Sequence, residues 1–307
     1  MIDDNDKWKI DKIPEENLES IEINSNEYNN AEESMKSNIT DIREISINSI
    51  SGPAIMFVGP KESGKTTALL RLARHIIQEE NCIVDVNRNF RADEDYKKSI
   101  NFFLDSLQNN DWAPKRNAAV DFLCVNVTQN AKQICQFIEA PGEHFYDYSN
   151  PHEETFAPYL SQLFSNRNMN KTLVFFFWDG MLLGQNPAAY SLRLCKILRK
   201  LDNKFDDVVI VYNQIDKNPE MYTGVMPNLK SVKDKLFSDN NYSTFFNTLK
   251  SLKLQTQYVA FSSGDFQKLA DGRMRYVESI RDFPVSLWKA IKFSITSSFT
   301  NKTRRKH

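Results

Sequence analysis

The sequence predicts a three-layer α/β domain whose mostly parallel sheet carries one antiparallel hairpin. Three observations predict it. Short apolar runs alternate with amphipathic stretches from about residue 54 to about residue 298, the pattern of strands covered by helices. The first run, Ala54 to Val58, leads into Gly59-Pro60-Lys61-Glu62-Ser63-Gly64-Lys65-Thr66, which reads G-x-x-x-x-G-K-[ST]. Two later runs, over 121–128 and 133–139, are joined by about four residues. That is too short for a crossover, so they pair antiparallel.

Taken in order, residues 1 to about 50 form an acidic arm rich in Asn, Glu, Asp and Ser, expected to be largely disordered. Within it, Ile45, Ile47 and Ile50 alternate with polar residues, which allows a short edge strand. The domain proper spans 51–300. Its first strand is expected at 54–58 and its first helix at 65–80, where Leu69, Leu70, Ala73, Ile76 and Ile77 make one stripe. Cys82 to Val86 is a short strand candidate. Glu94 to Asn109 carries Tyr96, Ile100, Phe103, Leu104 and Leu107 at helical spacing, and Asp111-Trp112-Ala113-Pro114 stops it. After the hairpin, a helix is expected from Glu154 to Asn166. Leu173 to Trp178 is a continuous apolar run and suits a central strand buried on both faces.

A helix follows over Pro187 to Asn203, then an apolar strand from Val208 to Tyr212. Helical stretches are expected near 227–237 and 241–252, and a last strand at Gln257 to Phe261. Asp282 and Pro284 mark the start of a helix over about 284–298. Residues 301–307 make a basic tail. There is no internal repeat and no Gly/Ser linker, so one domain plus an arm is expected.

Composition excludes several classes. The formal net charge is −1 and the chain is 41% apolar, which suggests neither nucleic acid nor a membrane as partner. Residues 1–50 hold 13 acidic and 5 basic side chains, a net of −8, leaving +7 on the remainder. Such an arm is either solvated or binds a partner. Cys82, Cys124, Cys135 and Cys195 lack C-x-x-C spacing and the four histidines are scattered, so no zinc site is expected. Cys124 and Cys135 fall on the paired strands, where they either face each other or pack as small buried hydrophobes. No apolar leader or membrane-length run is evident. A cytoplasmic, reducing location fits.

The glycine-rich stretch carries the first chemistry. The backbone N–H groups of Gly59 through Thr67 (with Lys61, Glu62, Ser63 and Gly64 between) form a cradle that suits a β-phosphate. The helix N-terminus adds its positive end. Lys65 would reach the β- and γ-phosphates, and the Thr66 hydroxyl would ligate Mg²⁺. A glycine-rich turn without a ligand is the alternative. In open α/β sheets ligands bind beyond the carboxyl ends of the strands. There the sequence places Glu139-Ala140-Pro141-Gly142-Glu143, then Asn213-Gln214-Ile215-Asp216, then Ser262-Ser263-Gly264.

With these four loops in order, 53–298 resembles the Ras-like and translation-factor class of P-loop GTPases. Two short motifs, P-G-E at 141–143 and W-x-P at 112–114, also resemble bacterial "double-GTPase" proteins of conflict systems. The resemblance implies a P-loop NTPase fold of the Ras-like type, GTP or GDP as cofactor with Mg²⁺, and a protein partner, another GTPase among the candidates. It implies that Glu139 holds a water on Mg²⁺, where Asp is usual. The Gly142 N–H would meet the γ-phosphate. Asn213, Gln214 and Asp216 would stand as the guanine motif, Asp216 accepting from guanine N1–H and its 2-amino group. Adenine lacks both donors, so a carboxylate there selects guanine. Gln214 replaces the usual Lys. Ser262, Ser263 and Gly264 would bring a backbone N–H to the guanine oxygen. An Asn/Asp-rich turn and a Ser-rich turn without ligand are the alternative for these two loops.

Two departures bear on hydrolysis. The class places a Thr ahead of the hairpin to complete the Mg²⁺ shell, yet no Thr occurs between Thr67 and Thr128. Ser99 and Ser106 are poor substitutes, and Asn117 is a weaker ligand. Where the class often has Gln after the glycine, this chain has Glu143 and then His144; either would position a water, or both are solvated loop residues. With Lys65 these are the candidate catalytic residues. A stabilising arginine would come from Arg88, Arg91, Arg116 or a partner. The leading expectation is a slow Mg²⁺-dependent GTPase that controls a partner, with loops 87–120 and 140–153 as switches ordered by the γ-phosphate. The alternatives are a GTP/GDP-binding scaffold without turnover and, more remotely, an ATP-using kinase or ATPase.

Overall fold

A computed structural model describes residues 45–50, 52–108, 123–147, 155–167, 169–182, 186–201, 207–223, 226–268, 274–277 and 282–303. The expectations for the rest of the acidic arm, for the stop at Asp111 to Pro114, for Arg116 and Asn117, and for the end of the basic tail lie outside those residues.

The chain forms β1 (Ala54–Val58), α1 (Lys65–Glu79), β2 (Ile83–Val86), α2 (Glu94–Gln108), β3 (Leu123–Gln129) and β4 (Lys132–Glu139). It continues with the short α3 (Gly142–Phe145), α4 (Pro158–Ser165), β5 (Lys171–Phe177), the short α5 (Asp179–Leu182), α6 (Pro187–Leu198) and β6 (Asp207–Tyr212). Then come a two-residue pair β7 (Tyr222–Thr223) and β8 (Met226–Pro227), α7 (Leu229–Ser238), α8 (Ser243–Ser251), β9 (Gln255–Ala260), a hairpin of β10 (Asp265–Lys268) and β11 (Met274–Val277), and α9 (Asp282–Thr303).

One seven-stranded sheet runs in the order β2-β3-β4-β1-β5-β6-β9. β3 runs antiparallel to both its neighbours; every other adjacent pair is parallel. The strand β2 thus extends the expected hairpin by one edge strand. The hairpin turn is tighter than its sequence suggested. Gln129 pairs with Lys132, and only Asn130 and Ala131 form the loop, both with positive φ (50° and 57°). Two positive-φ residues give the turn whose twist matches a two-residue hairpin. That turn, with a bulge between Val127 and Thr128, sets Cys124 opposite Ile138 and Cys135 opposite Val127. The two thiols therefore do not face each other, and all four cysteines are free and buried.

Aromatic packing shows the three layers. Along β5, Phe175 and Phe177 point to one face and pack edge-on or tilted against Phe245 of α8, with Tyr242 beside Phe177. Phe176 points the other way and stacks on Phe57, which meets Phe137, which in turn meets Trp288 of α9. The period-2 alternation of one fully buried strand thus feeds two separate helix layers.

Other expectations shift by a turn or less. The helix expected from Glu154 starts at Pro158, because the extended Ala157 precedes a proline at the first helical position. Ile45, Ile47 and Ile50 pack on the domain as a single bridge and a turn, where a short edge strand was expected: Ile45 is buried and bridges Arg91, the Ser46 N–H donates to Phe90 O, and Ile47–Ser49 form a 3₁₀ turn. The hairpins β7–β8 and β10–β11 were not foreseen. Among the described residues no helix is long and apolar enough to cross a membrane.

Candidate functional site

Register brings the strand ends level. Phe57 pairs with Glu139, Val58 with Phe175, Phe177 with Tyr212, and Tyr212 with Ala260. Their C-terminal loops therefore open on one edge of the sheet, with the loop after β1 in the middle.

That loop is a cradle. Gly59 and Ser63 are buried, and Glu62 takes a positive φ of 65°. Gly64, with φ 83°, caps α1. A left-handed residue at that point turns successive N–H groups inward. Lys65 is 6% exposed, and its ammonium donates to the carbonyls of Gly59 and Pro60 at 3.0 Å each. Burial lowers its pKa, and the nearby charges of Glu139 and Glu143 oppose that. The Thr66 hydroxyl, in the first turn of α1, donates to Glu139 Oε1 at the end of β4. Thr67 is buried at the next position, and the buried Ser63 hydroxyl has no hydrogen-bond partner among the described residues.

The loop after β4 lies against the cradle. A Cβ added to Gly142 would sit 2.2 Å from the Lys61 backbone N and 2.4 Å from the Pro60 carbonyl carbon. Only glycine allows that approach. Next in the chain, Glu143 reaches back to Lys61, 3.5 Å from its Nζ. His144 turns the other way: its Nδ1 is 2.5 Å from the Tyr159 hydroxyl of α4, and burial lowers its pKa.

On the far side one side chain ties three loops together. Asn213 is fully buried. Its Nδ2 donates to Ser63 O at 2.8 Å and to Ser263 Oγ at 2.7 Å, and the Ser263 hydroxyl approaches its Oδ1 at 3.0 Å. The Gly264 N–H donates to the Ser262 hydroxyl at 3.1 Å. A Cβ on Gly64 would strike Asn213 Nδ2 at 2.3 Å and Ser263 Oγ at 2.5 Å, so the glycine serves this junction as well as the turn. Gln214 adopts φ 56° and accepts from the Lys217 ammonium at 2.9 Å. Asp216 begins no helix cap; its carboxylate is exposed and makes no hydrogen bond among the described residues. It lies close enough to Tyr222 to raise that phenol's pKa, after burial.

Several residues were missed by sequence reasoning. Arg71 of α1, 2% exposed, donates to the Ser262 carbonyl and lies 5.6 Å over the Phe261 ring, buttressing the last loop from beneath. Its signal was an arginine flanked by the apolar stripe of α1. Tyr159, the partner of His144, gave no signal. The arginine candidates fare differently: Arg88 is exposed, whereas Arg91 is buried, bidentate to Asp93 at 2.7 Å, and over the Tyr96 ring. Ser99 donates to Asp95 O within α2, and Ser106 O accepts from Arg74. Asp179 accepts from the Tyr212 hydroxyl and pairs with Lys235 at 3.3 Å.

The donor set fits the groups the sequence implied. Among the described residues the buried Ser63 hydroxyl of the cradle loop has no hydrogen-bond partner. Thr66 and Glu139 offer one hydroxyl and one carboxylate. No group of three or more His, Cys, Asp or Glu able to hold a metal occurs among the described residues. Mg²⁺ is commonly held by one or two protein oxygens, waters and phosphate, so two ligands suffice.

The fold and the cradle define a three-layer α/β domain of the P-loop type. No protein-family model and no curated protein sequence matches the chain. Among solved structures it is similar to the signal recognition particle receptor SRb-GTP/SRX complex of Chaetomium thermophilum, at 13% identity and a TM-score of 0.38, covering 70% of this chain and 93% of that one. It is also similar to the S. cerevisiae Ski7 GTPase-like domain bound to GTP (15% identity, TM-score 0.39, 71% of this chain and 45% of that one). The same Ski7 domain bound to GDP and inorganic phosphate gives 13%, 0.40, 82% and 51%. The chain thus spans about half of those Ski7 chains.

Proposed function

We infer that the chain binds GTP and GDP and works as a slow Mg²⁺-dependent GTPase, its nucleotide state controlling a protein partner. The observation that carries the reading is the Asn213 junction. Its amide holds the phosphate cradle, the 213–216 loop and the 262–264 loop in one rigid unit. A phosphate site and a base site fixed to each other measure one ligand against both ends.

Within that site Lys65 and the cradle N–H groups would hold the β- and γ-phosphates, and Thr66 and Glu139 the metal. Asp216 would accept from guanine. Bound Mg²⁺ would neutralise phosphate charge there. Gly142 packs on the cradle, so its N–H is the group of that loop that would sense a γ-phosphate and pass its presence to α3 and the loop beyond. Loops 87–120 and 140–153 would be the elements a partner reads. Another GTPase is one candidate partner.

A second reading, a scaffold that holds the nucleotide without turnover, is favoured by one set of contacts. Ser99 and Arg91 are engaged in local bonds within or beside α2. The Ser99 hydroxyl is thus not left to complete a metal shell, nor the Arg91 guanidinium to steady a leaving phosphate. Phosphate release over hours with Mg²⁺ and GTP decides between the two.

Asp216→Asn tests the base assignment. The variant presents an amide in place of a carboxylate, so GDP affinity should fall at least tenfold while xanthosine diphosphate gains. Unchanged GDP preference would remove Asp216 from the base site.

A further inference from the structure

We propose that Lys61 and Glu143 form an exchangeable latch that makes the site discriminate a triphosphate from a diphosphate. This rests on the reading of the site given above and assigns what selects the γ-phosphate. Lys61 is the third residue of the cradle, a position the phosphate pattern leaves free. Glu143 follows the glycine that abuts it.

Three observations carry the proposal. First, the contact is enforced by backbone packing. Gly142 lies against the Lys61 amide so closely that no Cβ fits, and this sets Glu143 opposite the Lys61 side chain. Second, Glu143 stands between two cations. It pairs with Lys61 at 3.5 Å and is also one of the two carboxylates whose charge acts on the buried Lys65 ammonium. Its negative charge therefore acts on the cradle's buried lysine as well as on Lys61. Third, the pair is weak. The side chains are 63% and 48% exposed, so water and salt screen the attraction and neither is locked in place.

A terminal phosphate entering beside Lys65 brings about two negative charges into the place where Glu143 supplies one. Repulsion drives the carboxylate out, and Lys61, anchored on the cradle itself, exchanges Glu143 for a phosphate oxygen. A charge-assisted bond to phosphate is stronger than an exposed ion pair, so the exchange favours GTP. A diphosphate does not extend to that end and leaves the pair intact. The released Glu143 lies on α3, so the exchange also moves charge on the surface that a partner would meet. Glu143 then competes with the γ-phosphate; it does not act as a base toward water.

The test uses the full chain and fluorescent GDP and a non-hydrolysable GTP analogue with Mg²⁺, comparing wild type with Lys61→Met and Glu143→Gln. Lys61→Met should weaken the GTP analogue about tenfold and leave GDP within about twofold. Glu143→Gln should tighten the GTP analogue several-fold without tightening GDP. Thermal melts of both variants should match wild type, because the residues are exposed. Equal effects on the two nucleotides, or no effect of Lys61→Met on the GTP analogue, overturn the latch while leaving the guanine site standing. Failure of wild type to bind either nucleotide overturns the reading of the site and the latch with it.

Discussion

Removing the Asn213 side chain isolates the feature on which the site depends. In Asn213→Ala, Ser63 O loses a donor at 2.8 Å and Ser263 Oγ loses one at 2.7 Å, both at fully buried or nearly buried positions. A buried hydrogen bond contributes about 0.5–1.5 kcal/mol net, so two of them give about 1–3 kcal/mol. In a domain of this size each kcal/mol lowers the melting temperature by about 2–4 °C, so a drop on the order of 5 °C is expected. Urea unfolding gives the free energy directly, with m unchanged if the native fold persists.

Ser263→Ala removes both contacts between Ser263 and Asn213 but leaves the bond to Ser63 O, so it should cost less than Asn213→Ala. Because the two side chains touch, the double variant should lose less than the sum of the single effects. GDP affinity should fall in Asn213→Ala by tenfold or more, since the base loop is no longer fixed to the cradle. An Asn213→Ala protein within about 0.5 kcal/mol of wild type that binds GDP normally would refute the claim that this amide assembles the site.

Two further predictions concern the loop after β4. Gly142→Ala would place a carbon 2.2 Å from the Lys61 N, so the loop must move off the cradle. The cost should be about 1–3 kcal/mol, with GTP affinity falling more than GDP affinity; equal loss of both would argue against a γ-phosphate sensor there. His144 gives a pH signature. Burial lowers its pKa in the folded state below the ordinary value of about 6.5, so the unfolded chain takes up the proton first. Stability should therefore be unaffected by this group above pH 6.5 and fall as pH drops from there toward the depressed folded value. His75, also lowered by burial, contributes in the same direction. Urea unfolding at stepped pH values, comparing wild type with His144→Gln, should show a shallower fall in the variant; identical slopes would exclude His144 as a source.

The sheet was legible because its strands are long, apolar and bounded by loops with chemistry of their own. Ala54 to Val58 and Leu173 to Trp178 had to be buried on both faces, and the glycine pattern fixed what followed the first. The strand ends at Glu139, Tyr212 and Phe261 were readable for the same reason. What escaped depends on side chains meeting across the fold. Nothing local marks Asn213 as the tie between Ser63 and Ser263, or Arg71 as the support beneath Ser262. His144 looked like a partner for water, but its ring direction is set by Tyr159, fifteen residues on. Whether Cys124 and Cys135 face each other or simply pack stayed open in the sequence, because only the two-residue turn sets the register. The β10–β11 hairpin was hidden because Asp265 to Val277 mixes charges with single aromatics and shows no clean alternation.

The central claim is that cradle and base loop together select a guanine nucleotide. Calorimetric titration of the full chain with GDP and, separately, ADP, both with Mg²⁺, tests it most directly. The account predicts saturable one-to-one binding of GDP and at least a hundredfold weaker binding of ADP, the discrimination expected when a carboxylate reads two donors that adenine lacks. Equal affinity for the two, or tighter ADP, would contradict it.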